Sequence, residues 1–474
     1  MTTLIRNGTV VTAEGTLDAD VLVDGEKIAA VVARTTSGPA AGSVVSAAVA
    51  VGVDEVIDAT DMYVIPGGID AHTHMEMPFG GTFSVDTFET GTKAAAHGGT
   101  TTIIDFPVQA KGTSLLGTLD KWHAKADGNC AIDYGFHMIV SDVNDTTLKE
   151  MDTLIGGGVT SFKMFMAYPG VFYATDGEIL LAMQQASRSG GLVMMHAENG
   201  IAIDQLVAQA IAQGRTDPIH HGLTRPPELE GEATHRAIQL ARVADCPLYI
   251  VHLSAAHALE KVAEARDKGQ NVFAETCPQY LYLTLDDLAK PDFEGAKYVC
   301  SPPLRTPDHA ASLWQGLRTN DLAVVSTDHC PFCFKDQKQL GRGDFSKIPN
   351  GIPAVEHRID LLHQGVVAGE ITLARWVEIC STTPARMFGL YPRKGTITAG
   401  ADADIVIYDP AAIQVISAAT HHMNVDYSAF EGMEITGKVA LTMSRGRVVV
   451  KGGEFTGAAG HGAFLSRDLC QYLH

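Results

Sequence analysis

Residues 66–74 of the chain read PGGIDAHTH, an apolar run that carries two histidines two positions apart. In an extended strand alternate side chains point to the same side, so His72 and His74 share one face. Similar apolar runs recur along the chain, and helical stretches lie between several of them. Continuous apolar strands that alternate with helices are typical of a parallel sheet that is buried on both faces.

The number of these runs indicates which α/β architecture the sheet adopts. Together with residues 66–74 there are about eight runs within residues 66–393, which is the size and rhythm of a (β/α)8 TIM-like barrel. A doubly wound open sheet is the alternative, but no glycine-rich phosphate-binding motif follows the first run. We therefore predict a barrel over residues 66–394. The other runs are TTIIDF, DYGFHMIV, VTSFKMFM, GLVMMHAE, CPLYIVHLS, NVFAETCP and LAVVSTDH.

Both ends of the chain are predicted to be β structure. Residues 1–65 and 395–460 hold short β-branched runs separated by Asn-Gly, Asp-Gly and other glycine-rich turns. Neither set is long enough to be stable alone, so we expect one discontinuous β-sandwich domain. Two independent β appendages are the alternative. Residues 35–53 are predicted to be a surface insertion, and residues 461–474 a C-terminal tail.

Composition and charge exclude several kinds of partner. The 474 residues carry a net charge of -20, which opposes binding to nucleic-acid phosphates or to an anionic membrane surface. The first residues, MTTLIRNGTV, lack the apolar segment of a signal peptide, and no apolar stretch is long enough to span a bilayer. Cys330 and Cys333 form a single CxxC without a second pair, which disfavours a zinc ribbon. We expect a cytoplasmic protein.

Polar side chains at the ends of the apolar runs predict a metal site. The carboxyl ends of barrel strands meet at one rim, so side chains that follow different strands converge there. Neutral imidazoles and carboxylates suit zinc or another divalent ion. The six candidates are His72, His74, Lys163, His196, His252 and Asp328. The remaining histidines do not stand at the end of an apolar run and are predicted to lie at the surface, for example His220, His221, His421 and His422.

Lys163 lies inside an apolar run, where a charged ammonium group is costly. One interpretation is a buried ion pair with a carboxylate. The other is a carbamate, formed by addition of CO2, whose two oxygens could bridge two metal ions about 3.5–4 Å apart and acidify a shared water. Asp328 could then act as a base toward that water and as an acid toward a leaving nitrogen.

An ordered set of motifs runs through the whole chain and is highly specific, whereas the HxH pair alone is not. The motifs are PGGIDAHTHMEMPFGG, HGGTTTIIDF, SFKMFMAYPG, MMHAENG, LYIVHLS, AETCPQYLYL, CSPPLR, STDHCPF, IPNGIPAVEHR, TTPARMFGL and KGTITAGADADIVIYDP. With them the chain resembles the dihydropyrimidinase/hydantoinase branch of the amidohydrolase superfamily over essentially its full length. The resemblance implies a hydrolase that opens a cyclic amide.

The resemblance also implies two zinc ions per subunit and a carboxylated lysine, N6-carboxylysine, at position 163. One ion would be held by His72, His74 and Asp328, and the other by His196 and His252, with Lys163 as the bridge.

Three further residues match positions that contact the substrate in this family. Tyr168 resembles the tyrosine that donates to the substrate carbonyl as it becomes an oxyanion. Ser301 and Asn350 match positions whose backbone groups hold the cyclic amide. The resemblance further implies a homotetramer, in which the tail at residues 461–474 is a possible subunit contact.

The segment after His74 bears on the ring that is opened. Relatives that act on dihydroorotate carry an arginine just after the HxH pair, where it holds a carboxylate. Residues 75–79 of this chain, MEMPF, offer no arginine. We therefore predict a neutral ring: 5,6-dihydrouracil or dihydrothymine, opened to N-carbamoyl-β-amino acids in pyrimidine degradation, together with 5-substituted hydantoins.

Two other functions remain as alternatives. A hydantoinase or an allantoinase-like amidohydrolase would keep the same metals and have a different ring preference. A non-catalytic scaffold is disfavoured, because scaffold relatives of this fold lack the metal ligands that this chain retains at every position.

Overall fold

The computed structural model describes residues 1–34 and 52–473. Most of the predicted insertion at residues 35–53 therefore lies outside the described residues. Six strands precede the barrel: β1 Thr2–Arg6, β2 Thr9–Thr12, β3 Gly15–Asp24, β4 Lys27–Ala33, β5 Glu55–Asp58 and β6 Tyr63–Pro66.

The barrel strands run in parallel around a closed ring. The first is β7 Gly68–Thr73. A small antiparallel hairpin outside the ring follows it, with strands β8 Pro78–Phe79 and β9 Thr82–Phe83. The other barrel strands are β10 Thr100–Asp105, β11 Asp133–Phe136 with its continuation β12 Met138–Ile139, β13 Ser161–Phe165, β14 Leu192–His196, β15 Leu248–Ile250, β16 Val272–Thr276 and β17 Val324–Val325. Parallel pairing links β7 to β10 and β10 to β11, and links β12 through to β17. Bridges from Val108 to Ile139 and from Thr73 to His329 close the ring. The predicted barrel is confirmed.

Helices follow most of the barrel strands. Their bounds are α1 Phe88–His97, α2 Leu115–Ala126, α3 Asp145–Gly156, α4 Asp176–Ser189, α5 Gly200–Ala212, α6 Ile219–Leu223, α7 Pro227–Ala244, α8 Ala256–Asp267, α9 Pro278–Tyr282, α10 Pro307–Thr319, α11 Arg358–Val367, α12 Leu373–Val377 and α13 Thr383–Met387. Shorter turns of 3-10 helix lie at Leu285–Ala289, Glu294–Tyr298, Lys338–Gly341 and Phe345–Lys347, and a π-helical turn at Glu378–Thr382. Thr87, Asn144 and Thr175 begin α1, α3 and α4 with reciprocal capping hydrogen bonds. Among the described residues, no helix combines the length and the apolar character that crossing a membrane requires.

Strands from the two chain ends join in one sheet. The C-terminal strands are β18 Ile405–Val415, β19 Glu434–Ser444, β20 Arg447–Lys451 and β21 Glu454–Phe455. The sheet order is β21-β20-β19-β18-β6-β2-β3-β1-β5, with β4 paired to β3. β18 is antiparallel to β6, with Val406 opposite Ile65. This pairing excludes two independent β appendages, while the predicted domain boundaries near residues 65 and 395 stay a prediction.

The C-terminal tail packs on the barrel of its own chain. Leu465 N donates to Tyr134 O at 2.7 Å, beside β11. Arg467 is buried and its guanidinium donates to Ser161 Oγ at 2.8 Å, at the start of β13. Residues 461–473 thus belong to the fold of the single chain, and their proposed role as a subunit contact stays a prediction.

Candidate active site

Four of the predicted metal ligands lie together at the carboxyl ends of the barrel strands. The Nε2 atoms of His72 and His74, on and just after β7, are 3.2 Å apart. Asp328 Oδ1 lies 3.2 Å from the first and 3.1 Å from the second. Lys163 Nζ, from β13, is 2.8 Å from His72 Nε2. All four side chains are buried, so this polar cluster lies inside the barrel mouth.

His196 and His252 complete the predicted set from the next two strands. The His252 ring centroid lies 4.6 Å from that of His196 and 5.4 Å from that of His72. His196 Nε2 donates to Glu198 Oε2 at 2.7 Å, whereas the buried Nδ1 of His252 has no hydrogen-bond partner among the described residues. All six side chains predicted from the sequence therefore meet at one rim.

Burial sets the charges of the cluster. It lowers the pKa of His72 well below its ordinary value, and the Lys163 charge lowers it further. Burial also lowers the pKa of His74 and of His252. Burial opposes the charged form of Asp328, but its contacts with His72 and His74 outweigh this effect and lower the Asp328 pKa to about 2. Neutral imidazoles therefore lie against an ionised carboxylate.

This donor set fits a divalent cation. Two neutral imidazole nitrogens 3.2 Å apart share at most one proton, and the carboxylate oxygen faces both of them. A cation among the three would accept a lone pair from each, as borderline divalent metals do from nitrogen and oxygen ligands. His72, His74 and Asp328 are close enough for their ligand atoms to share one ion.

The surroundings of Lys163 bear on the first of its two interpretations, the buried ion pair. Among the described residues no carboxylate oxygen lies within ion-pair distance of its Nζ atom, which instead contacts His72 and lies over the rings of Phe106 and Phe165. The buried ion pair is therefore not formed. Burial lowers the pKa of Lys163 to about 8, which enlarges the neutral fraction of an amine able to react with CO2.

Three residues of the site hold strained backbone conformations. Asp328, His252 and Tyr168 have φ angles of 52°, 38° and 61°. For residues other than glycine this region costs about 1–3 kcal/mol, and such strain clusters at functional sites. The barrel therefore holds two predicted metal ligands and the predicted carbonyl donor in fixed, unfavourable conformations.

A cavity opens above the cluster and has two kinds of wall. Its empty volume, with the open solvent at its mouth included, is about 420 Å³. The apolar wall consists of Met77, Phe79, Phe165 and Phe172, and the polar wall includes Tyr168, Ser301 and Asn350. Asn350 Nδ2 donates to Ser301 Oγ at 3.0 Å. The three predicted substrate residues thus share a cavity with the predicted metal ligands.

Comparison with known proteins agrees with this geometry. The model of the family described as "Amidohydrolase family" matches residues 63–449. The chain belongs to the amidohydrolase family. Among amidohydrolases it is 66% identical over 471 residues to the D-hydantoinase of Streptomyces coelicolor, with 99% of each chain covered.

Solved structures of amidohydrolases share the whole fold. The dihydropyrimidinase from Brevibacillus agri is 52% identical, with a TM-score of 0.94 and 99% of each chain covered. The L-hydantoinase from Arthrobacter aurescens is 31% identical, with a TM-score of 0.86 over 98% of this chain and 99% of the other. The family resemblance predicted from the motifs is confirmed.

Glu275 is a residue of the amidohydrolase site that the sequence analysis missed. His72 Nδ1 donates to Glu275 Oε1 at 2.5 Å, and the Tyr249 hydroxyl donates to Oε2 at 2.9 Å. Burial raises the pKa of Glu275 to about 7. The carboxylate fixes the tautomer of His72, so that Nε2 faces the cluster. A signal was present, because Glu275 interrupts the apolar run NVFAETCP just as Lys163 interrupts its own.

The prediction that His221 lies at the surface is wrong. It is buried on α6, where its Nε2 donates to Cys300 O at 2.8 Å and its Nδ1 accepts from Arg225 at 3.1 Å. The neighbouring Ser301 hydroxyl lies 3.3 Å from the same Nε2. A histidine on a short helix gives no sequence signal for such a contact. Of the other three, His422 is exposed and His220 and His421 are half-buried.

Replacing Glu275 by glutamine is expected to weaken metal binding by about 10- to 100-fold, because an uncharged amide supports the His72 ring less well than a carboxylate. Competition with a chromogenic chelator measures this directly. Tyr249→Phe is the matched control: it leaves the Glu275 carboxylate in place and should change the affinity much less. Equal affinities for wild type and Glu275→Gln would rule out this role of Glu275.

Proposed function

We propose that this amidohydrolase uses two metal ions to open the ring of a neutral cyclic amide. One observation carries the proposal: the six predicted metal ligands, from five barrel strands, meet below a cavity that apolar and polar side chains line. The 66% identity to a D-hydantoinase supports the same chemistry.

The ligands divide between two divalent ions, for which zinc is the first candidate. The first ion would be held by His72, His74 and Asp328, and the second by His196 and His252, with carboxylated Lys163 between them. Such ions supply Lewis-acid activation of a water and of the amide carbonyl. Carboxylation of Lys163 consumes one CO2 and converts a cation among the ligands into an anion, which suits a position shared by two metals.

Asp328 serves as the proton carrier of the reaction. Its lowered pKa keeps the carboxylate ionised at neutral pH, and in this proposal it accepts the proton of the attacking water. It then delivers that proton to the ring nitrogen as the C–N bond breaks. Its contacts with both His72 and His74 hold it at the floor of the cavity, where these two transfers take place.

Tyr168 donates a hydrogen bond to the carbonyl oxygen as negative charge develops on it. Burial raises the pKa of Tyr168 above its usual value, so the hydroxyl keeps its proton. Ser301 and Asn350, which lie beside Tyr168 on the polar wall, hold the ring amide through their backbone groups. The ring is thus oriented by a donor to its carbonyl and by partners for its amide group.

Tyr168→Phe is expected to lower kcat by about 10²- to 10³-fold, because it removes one donor to the developing oxyanion. Metal content should stay at the wild-type level. Tyr173→Phe is the matched control: it removes a hydroxyl from a half-buried tyrosine of the same loop that does not line the cavity. An unchanged kcat in Tyr168→Phe would remove Tyr168 from the mechanism.

The cavity favours 5-substituted hydantoins and 5,6-dihydropyrimidines as substrates. Met77, Phe79 and Phe172 offer an apolar wall for a substituent on the ring. No arginine is among the described residues that line the cavity, so a carboxylate on the ring would lack a partner. Dihydrouracil would give N-carbamoyl-β-alanine, and a 5-substituted hydantoin would give an N-carbamoyl-α-amino acid.

A substrate panel tests the ring assignment. Purified protein with measured metal content is assayed on dihydrouracil, racemic 5-phenylhydantoin, dihydroorotate and allantoin, and the chirality of the hydantoin product is determined. We expect the first two to be opened faster than the last two, with the D product favoured as the name of the 66%-identical relative suggests. Faster opening of dihydroorotate or allantoin would make the ring assignment wrong.

We also propose a homotetramer, as the family resemblance implies. Analytical ultracentrifugation of the purified protein tests this assembly, and a monomer would contradict it. The cytoplasmic location expected from the sequence stays a prediction.

A further inference from the structure

Lys338 is a buried lysine that takes no part in the chemistry described above. Its side chain is 0% exposed. The ammonium group donates to three main-chain carbonyl oxygens, those of Val299 at 3.0 Å, Pro349 at 2.6 Å and Gly351 at 2.9 Å. Among the described residues no carboxylate lies within ion-pair distance of it. Its bonding partners are therefore backbone oxygens.

The three carbonyls belong to two segments that form the polar wall of the cavity. Val299 stands two residues before Ser301, and Pro349 and Gly351 flank Asn350. Direct bonds between the segments are few: Gly351 N donates to Val299 O at 2.9 Å, and the Asn350 side chain donates to the Ser301 hydroxyl. Lys338 thus links the two segments at the level of the residues proposed to hold the ring.

The geometry requires a hydrogen-bond donor at this point. Three carbonyl oxygens that converge on one position repel each other unless a donor lies between them, and an ammonium group has three N–H bonds to offer. A buried ammonium without a counter-ion is costly, so its charge-assisted hydrogen bonds must offset that cost. Removing the Lys338 amine would leave the carbonyl oxygens of Pro349 and Gly351 without this donor, while Val299 O would keep only its bond from Gly351 N. Separation of the two segments would expose these oxygens to water.

We propose that Lys338 is a positioning residue that fixes the spacing between Ser301 and Asn350 and thereby the affinity for the ring amide. The ligand in this statement rests on the proposed function, whereas the spacing is a property of the folded chain. Since the two segments contact the ring before and during the reaction, displacing them weakens binding of ground state and transition state alike. KM then rises while kcat changes little.

The test compares Lys338→Met with Arg375→Met, which removes a buried basic side chain elsewhere in the fold. Arg375 is also buried and donates to the backbone oxygens of Leu317 and Leu322 at 2.8 Å each, away from the cavity. Hydrogen–deuterium exchange should rise in peptides that cover residues 297–303 and 347–353 in Lys338→Met, and not in Arg375→Met. Peptides from the metal-ligand strand β7 should exchange as in wild type in both variants.

Steady-state kinetics on 5-phenylhydantoin provide the second readout. In Lys338→Met we expect KM to rise about tenfold or more, with kcat within about threefold of wild type and with unchanged metal content. Arg375→Met should keep the wild-type KM. Lys338→Gln retains two N–H donors and should give an intermediate rise in KM. If Lys338→Met does not fold, the same measurements on Lys338→Gln test the proposal.

The outcomes separate this proposal from the function it rests on. Wild-type exchange in both segments of the Lys338 variants would overturn the positioning role whatever the substrate is. A fall in kcat or metal content with KM unchanged would also overturn it, because Lys338 would then act on the metal cluster. If wild type opens none of the cyclic amides, the proposed function fails. The exchange experiment still tests whether Lys338 holds the two segments in place.

Discussion

Asp328→Asn is expected to lower kcat for ring opening by roughly 10⁴-fold, the upper end of the range for loss of a general acid–base group. The amide cannot accept the proton of the attacking water, so neither that step nor protonation of the leaving nitrogen is assisted. The substitution also removes the carboxylate that contacts His72 and His74 at 3.2 and 3.1 Å. Steady-state kinetics with metal analysis of the same preparation measure both effects.

Asp360→Asn is the matched control for this variant. Asp360 is a buried carboxyl group away from the cavity, where it accepts from Gln414 at 3.0 Å, and burial raises its pKa to about 7. A nearly isosteric amide there should leave kcat close to wild type. If Asp328→Asn kept more than about a tenth of wild-type kcat with full metal content, the acid–base role of Asp328 would be lost.

Lys163→Ala is expected to remove activity by about 10³- to 10⁴-fold or more, the rate equivalent of the several kcal/mol that metal ions contribute to such a reaction. Without the bridging carbamate the two ions lose their shared ligand, and metal content should fall with activity. Lys163→Arg keeps a positive charge that CO2 does not convert, and it should be equally inactive. Both variants are therefore assayed for turnover and for bound metal.

A small carboxylic acid provides the positive control for the Lys163 substitution. Alanine leaves space beside His72 and the Phe106 ring, and propionate supplied in the buffer can place a carboxylate there. Propionate should restore part of the activity and metal content of Lys163→Ala and have no effect on Lys163→Arg. Carbon-13 NMR of wild type loaded with labelled CO2 should show a carbamate; active enzyme with unmodified Lys163 would exclude it.

The barrel was predictable because its signal is local and repeated. Each buried parallel strand is a short apolar run, and every run quoted in the sequence analysis overlaps a strand of the ring. The convergence of the ligands followed from topology, since His72, His196 and Asp328 lie at strand ends and these ends share one rim. A polar residue at the end of an apolar run is visible without any knowledge of its partner.

The partners themselves were not predictable. Glu275 supports His72 across 203 positions of the chain, and no local pattern connects β16 with β7. Lys338 lies in KDQKQLGRG, a stretch that reads as an exposed polar loop although its lysine is buried. His221 likewise takes its role from a contact with Cys300. Contacts between residues that are distant in sequence depend on three-dimensional packing, which a single sequence does not display.

Titration of the metal-free protein with Zn²⁺ tests the proposed binuclear site most directly. Opening of 5-phenylhydantoin is followed as the ion is added in known ratios to the chain. We expect no turnover without metal and a plateau at about two equivalents per chain. A plateau at about one equivalent, or full turnover by the metal-free protein, would contradict a binuclear centre built on His72, His74, Lys163, His196, His252 and Asp328.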